Sequence, residues 1–349
     1  MIDIVLNNIL PFIVILTILV FVHELGHYLV AIFNGVKVEV FSIGFGRELF
    51  GYTDKYGTRW KFSLVPLGGY VKMHGDLDEA SSKKKPAKNI NPEESFHEKS
   101  ILQRSMILFA GPAANFIFSF ILLVSINIFF GISIDKPIVS YVEKDRPAFN
   151  SGMKIGDIIL EVDNTKIEKF SQLKEIVISK NNEKIKVTFS RDNKIEETVI
   201  NVVDSRIGVR GTVEIRKLNF FDSCVKSTIQ LAYFVKATLI GIFEILTGSR
   251  GVDDLGGPIR IAELSADFWS KGVHSTLWFM MIISLNLGLI NLFPIPMLDG
   301  GHLVLNLFEF INGAPLKDKY LEIAHTFGFV LLISLMVFAT YNDIARFFE

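Results

Sequence analysis

The chain has 349 residues, 50% of them hydrophobic and 21% charged, with a mean hydropathy of +0.38. That is too apolar for a soluble protein of this length and is the composition of a membrane protein. Its 36 basic and 37 acidic side chains nearly cancel, so no charge imbalance points to nucleic acid and no such partner is expected. A lone cysteine, Cys224, excludes a disulfide framework and a thiolate metal cluster, leaving histidines and carboxylates for any metal.

In chain order, four apolar stretches read as spans: about 4–30, 106–132, 276–295 and 323–341. Each is near the ~20 residues that cross ~30 Å of hydrocarbon. The first lacks a basic n-region, is too long for an h-region and runs into His-Glu, so it reads as a retained helix and not as a secretory signal. Between the first two spans, Val36–Val40 and Arg59–Leu64 alternate as half-buried strands do, and Gly68-Gly69 punctuates the chain before Tyr70–Met73. This predicts a β-rich loop over 36–75 that closes the N-terminal membrane half, residues 1–133. Ser81–Pro86, beside Asp76, Asp78 and Glu79, reads as a solvated loop.

Residues 134–213 have soluble polarity and short β-type runs such as Ile185–Phe189, as an inserted extramembrane domain would. Residues 214–275 read as an amphipathic connector, because Lys236 and Glu244 interrupt the apolar run 227–246 as they would in a helix lying on the membrane or packed on other helices. The C-terminal membrane half is then 276–349.

Inside the first span stands His23-Glu24-Leu25-Gly26-His27. Residues four apart share a helical face, so both imidazoles can meet one ion, and Glu24 stands where it can take a proton from a water activated there. An unused glutamate in hydrocarbon would cost ~2.5–3.5 kcal/mol. The position six after His27 is Phe33, so the extended motif with a third histidine is absent. Two carboxylates compete to complete the site. Glu48 lies in a glycine-rich loop, whereas Asp299 follows Pro294 and Pro296, which break a helix and leave backbone that hydrocarbon tolerates only against protein or a cavity. Asp299 is the better candidate. His74, His97, His274, His302 and His325 read as surface or interface residues and not as ligands, His302 being close enough in sequence to Asp299 to support it from behind. A structural zinc in a peptide-binding adaptor would want four ligands, and a metal transporter would want polar relays across the bilayer; the sequence offers three ligands at one end.

These motifs, with Gly111-Pro112-Ala113-Ala114-Asn115 in the second span and Asn291–Gly300 in the third, resemble the site-2 protease family, most closely its RseP-type branch of regulator of sigma-E proteases. The stretch Pro147–Ile159 is similar to a PDZ domain, here a single one. The resemblance implies a polytopic α-helical membrane protein with four transmembrane helices, a small cytoplasmic-side β-element and an inserted extracytoplasmic PDZ-like α+β domain. It implies one Zn²⁺ per chain held by His23, His27 and Asp299, Glu24 as catalytic acid and base, and Asn291 assisting substrate or transition state. Gly68, Gly69, Tyr70 and Val71 would hold the substrate extended, and Asn115 would contribute to substrate binding. The implied substrates are single-span membrane proteins such as trimmed anti-sigma factors, or remnant signal peptides, cut within the bilayer of a bacterial inner membrane. A peptide or protein ligand of the PDZ-like domain is a further implied partner.

The two halves of the site set the topology. His23–His27 and Asp299 meet only if their spans run in the same direction, so an odd number of crossings separates them, and four spans in all are expected. Residues 31–104 hold 12 Lys/Arg against 9 Asp/Glu, and Lys317 and Lys319 precede the last span. This places the metal end toward the cytoplasm and the PDZ-like domain and both termini outside.

Overall fold

An apolar run interrupted only by its polar motif makes the first element, α1 (Leu10–Phe33). Pro11 sits in its first turn, where a missing N–H costs nothing, and the helix ends as Asn34 Nδ2 donates to the Val30 carbonyl at 2.8 Å. The computed structural model of the chain describes residues 9–75, 92–249, 251 and 256–346. Residues 4–8 of the first expected span and the Ser81–Pro86 loop with Asp76, Asp78 and Glu79 lie outside them.

Next come β1 (Val38–Thr53) and β2 (Arg59–Met73), which pair antiparallel as a two-stranded sheet. Val38–Ile43 is flanked on one side by Arg59–Phe62 and on the other by Gly69–Met73, so the last segment is an edge. The sheet is fastened to α1 by aromatic packing. Phe41 stacks on Trp60 at 4.2 Å between centroids, and Tyr28 meets both rings edge-on. Asp54, beside the connecting turn, accepts hydrogen bonds from the Tyr28 hydroxyl, Trp60 Nε1 and the backbone amides of Tyr56 and Thr58, all at 2.8–3.0 Å. Burial alone would raise the Asp54 carboxyl, but the bonds from Trp60, Thr58, Tyr28 and Tyr56 outweigh it and hold the group below the usual carboxylate range.

Helix α2 (Ile101–Phe129) carries Pro112 in its interior. It leads into a compact unit, Asn127–Phe220, that contains the segment read as an extramembrane domain. Here β3 (Ile132–Val142), α3 (Pro147–Asn150), β4 (Ile158–Val162), β5 (Thr165–Lys166), α4 (Phe170–Ser179), β6 (Lys184–Arg191), β7 (Lys194–Asn201) and β8 (Val209–Arg216) build an antiparallel sheet of order β7-β6-β4-β3-β8, with β5 on β4. Alternate residues of β6, Ile185, Val187 and Phe189, enter one core with Val139, Ile159, Leu173 and Ile200.

The second unit joins residues 1–126 to 221–349. After the inserted unit come α5 (Phe220–Leu246), α6 (Pro258–Ser270), α7 (Val273–Asn291), α8 (Asp299–Asn312) and α9 (Asp318–Ala345). By length and apolar composition five helices among the described residues qualify to cross a membrane, one more than expected. The addition is α5, because the run 227–246 continues back to Phe220 as one helix of 27 residues. Helix sense is read from the packing. Along α1, His23 and His27 meet Asn115 and Ile107 of α2 in descending order, whereas Ile15 and Leu19 share a core cluster with Phe279, Met280 and Met281 of α7 and His23 lies beside Asn291. Hence α1 and α7 run the same way and α2 runs against them. Small and hydroxylated residues bind this trio, as expected without a hydrophobic drive between helices in lipid: Ser119 Oγ donates to the Asn115 and Met281 carbonyls, and Ser284 Oγ to Asn115. A buried carboxylate locks the far end, where Asp343 accepts from the amides of Gly257, Ile259 and Arg260 at the start of α6.

Candidate metal centre and active site

The helical repeat turns His23 and His27 toward α2, and the close approach of the two helices depends on residues without bulk. A Cβ at Gly26 would lie 2.7 Å from the Ala114 Cβ, and one at Gly111 would overlap His27 and lie 2.8 Å from His23 Cε1. Gly111 thus leaves the two rings their space. Both rings are nearly buried, and their planes stand at 83° with centroids 4.8 Å apart.

Asp299 arrives from α7 through a break. Pro294 and Pro296 cannot donate backbone hydrogen bonds, Met297 takes the left-handed region at φ 86°, and Leu298 is extended before α8 starts at Asp299. A non-glycine residue at positive φ carries strain, of the kind that collects at functional sites. The carboxylate stands 3.2 Å from His23 Nε2 through Oδ2 and 3.4 Å from His27 Nε2 through Oδ1, and the two Nε2 atoms are 3.2 Å apart. One ligand atom from each of the three residues lies within 4.8 Å of the others. Asp299 Oδ2 is buried with no hydrogen-bond partner. Two imidazole nitrogens and one carboxylate oxygen turned to a common point, with an unsatisfied buried oxygen among them, suit Zn²⁺ with an open fourth position.

The far nitrogens face α2. His27 Nδ1 lies 2.8 Å from the Ile107 carbonyl, which can only accept, so the proton sits on Nδ1 and Nε2 keeps its lone pair. His23 Nδ1 lies 3.1 Å from the Asn115 amide. Asn115, expected to bind substrate, is fully buried with its amide against His23.

Glu24 lies on the side of α1 that faces β2. Gly69 packs so closely on it that a Cβ there would come within 3.3 Å of Glu24 Cγ. Gly68, Gly69, Tyr70 and Val71 therefore run past Glu24 as the edge segment of the sheet. Asn291 Nδ2 is 3.4 Å from His23 Nε2, on the side where the ligand atoms converge. Glu48 pairs with Arg59 on the hairpin, away from the cluster. His302 faces His325, ring centroids 5.3 Å apart, and is not in the cluster.

In the inserted unit, α4 and the chain from 204 to 210 border a groove of about 550 Å³ lined by Phe170, Leu173, Val177, Ile207 and Val209. Asp157 of the Gly-Asp-Ile-Ile string is 1% exposed, and Arg191 grips it at 2.8 and 2.7 Å while the Lys154 amide donates at 2.8 Å.

Apolar helices that bring His-Glu-x-x-His and a distant aspartate to one point define a metal-dependent protease embedded in a membrane. The model of Peptidase family M50 matches residues 11–335, and the chain belongs to that family, the site-2 protease type of zinc metalloprotease. Relatives agree along their length: one from Agrobacterium fabrum is 35% identical over 97% of this chain and 95% of its own. One from Rickettsia conorii is 36% identical over 98% and 99%, and one from Campylobacter jejuni 33% identical over 96% and 92%. Each bears the name "Putative zinc metalloprotease". Among solved structures, the PDZ domain of the SdrC-like protein from Listeria monocytogenes covers 23% of this chain and 92% of its own at 22% identity and a TM-score of 0.21, a likeness too low to argue from.

Sequence reasoning missed the groups that face the far nitrogens of the two rings, the Ile107 carbonyl and the Asn115 amide. Of the two, only Asn115 lies in a string that the sequence singled out.

Proposed function

We propose that this zinc metalloprotease hydrolyses peptide bonds within or near the transmembrane segment of single-span substrates, with His23, His27 and Asp299 as the zinc ligands. The convergence of those three side chains inside packed apolar helices carries the reading. Zinc held there supplies Lewis acidity. Glu24, beside the Gly69 segment of β2, takes the proton from the attacking water and returns it to the leaving amine. Asn291 offers its amide to the substrate on the same side.

A transmembrane helix hides its peptide bonds, so the substrate unwinds before attack, and its freed backbone groups are costly in lipid unless paired. The edge segment Gly69–Met73, running past Glu24, supplies that pairing by strand addition. The bilayer is that of a bacterial inner membrane, with the metal end toward the cytoplasm and the inserted unit, a PDZ-like domain, outside. Four crossings follow. Phe234 meets Trp278 and Thr238 Oγ1 bonds Asn286, so α5 runs in the same sense as α7, and the α6 helix between them covers only ~20 Å. This favours α5 as a helix laid against the bundle. The groove beside α4 fits an extended peptide and supports docking or size selection of trimmed substrates, anti-sigma factors or remnant signal peptides.

The test is cleavage of a trimmed single-span substrate in liposomes. Glu24→Gln is expected to lose activity and keep zinc, and Asp299→Asn to lose both; full cleavage by Glu24→Gln would refute the mechanism.

A further inference from the structure

His23 is useful as a ligand in one tautomer only. Its Nε2 faces Asp299 and His27, so to bind a cation there the ring must carry its proton on Nδ1, and the group beside Nδ1 must accept it. For His27 the choice is forced by the Ile107 carbonyl. For His23 the group is an amide, which can either donate or accept. As oriented, Asn115 turns Nδ2 to the ring at 3.1 Å and leaves Oδ1 buried without a partner. The other amide orientation gives Oδ1 the Nδ1–H as its donor.

The packing leaves the side chain little else to do. Asn115 is fully buried, and its own backbone carbonyl already takes Ser119 Oγ at 2.9 Å and Ser284 Oγ at 3.0 Å, which pins this turn of α2 against α7. The backbone at 115 is thereby held by two helices while the side chain points to one ring. Gly288 of α7 lies close enough that a Cβ there would be 3.2 Å from the Asn115 Cβ, so α7 packs directly on this turn of α2.

We infer that Asn115 is a positioning residue of the metal centre: its Oδ1 accepts the Nδ1 proton of His23 and so keeps Nε2 free for zinc. This rests on the reading of His23 as a zinc ligand, and it makes the unpaired oxygen and the tautomer requirement one fact. It also assigns the second span a part in metal binding with no ligand of its own, through Ile107 for one ring and Asn115 for the other.

The experiment is zinc affinity of the full-length chain in detergent, by competition with a chelator, for wild type, Asn115→Asp, Asn115→Leu and His23→Ala. Outer partners of ligating histidines are worth about 10- to 100-fold in metal affinity. Asn115→Leu, close in volume but without an acceptor, is expected to bind zinc weaker by that factor, and Asn115→Asp, which can only accept, to bind at least as well as wild type. A packing role predicts the reverse order, because leucine would be tolerated and a buried charge would not; that order overturns the inference. Unchanged affinity in His23→Ala would overturn the ligand reading itself. Should the variants fail to fold, ¹⁵N-histidine spectra of the zinc-loaded wild type decide: a His23 proton on Nδ1 supports the inference, and one on Nε2 refutes it.

Discussion

Each of the two units buries a carboxylate, and they treat it in opposite ways. In Asn127–Phe220, Asp157 has both oxygens saturated by the Arg191 guanidinium and the Lys154 amide, and the bond to Asp157 in turn holds Arg191 charged. In the helical unit, Asp299 faces two neutral-capable imidazoles and keeps one oxygen without a hydrogen bond. A satisfied buried ion pair specifies a fold; an unsatisfied carboxylate among histidines specifies a cation. The same residue type therefore reads as structure in one unit and as chemistry in the other, and the partner atoms decide which.

Substitutions sharpen the contrast. The largest effect is expected at Glu24, where loss of the proton acceptor in Glu24→Gln lowers cleavage of the trimmed substrate by about 100- to 10,000-fold without unfolding the bundle. Asp157→Asn does the converse. Breaking the charged pair of buried Asp157 while Arg191 keeps only Glu196 is expected to cost about 1–3 kcal/mol, read as earlier unfolding of the inserted unit by limited proteolysis, while zinc stays bound. Gly111→Ala falls between fold and chemistry: its Cβ would press on both rings, an overpacking worth about 1–3 kcal/mol, seen as weaker zinc retention against a chelator.

The smallest effect concerns the hairpin. Asp54 has a lowered native pKa, so its contribution to holding the sheet on α1 is complete above the unfolded value of about 3.9 and is lost as pH falls through the native value. Hydrogen exchange in 38–73 is expected to rise at acid pH in wild type, and Asp54→Asn to show that looseness already at pH 7.

The sequence made the local half of the site legible. His23 and His27 share a face because the helical period is local, and the two prolines before Asp299 announced broken backbone. What it could not show is register between helices far apart in the chain. Nothing in the sequence brings Asn115 to His23; the 3.1 Å contact between them exists only once α1 and α2 are packed. The full length of α5 was hidden for a related reason: Lys236 and Glu244 interrupt its apolar run and read as a connector, yet the helix continues back to Phe220, where Ser223 and Ser227 are buried in packing. Asp343, which caps α6 across more than 80 residues, had no local signal.

The most direct test of the contrast is zinc content per chain, measured after gel filtration for wild type, Asp299→Asn and Asp157→Asn. One zinc in wild type and in Asp157→Asn, with its loss in Asp299→Asn, is the result predicted; zinc retained in Asp299→Asn would contradict the account.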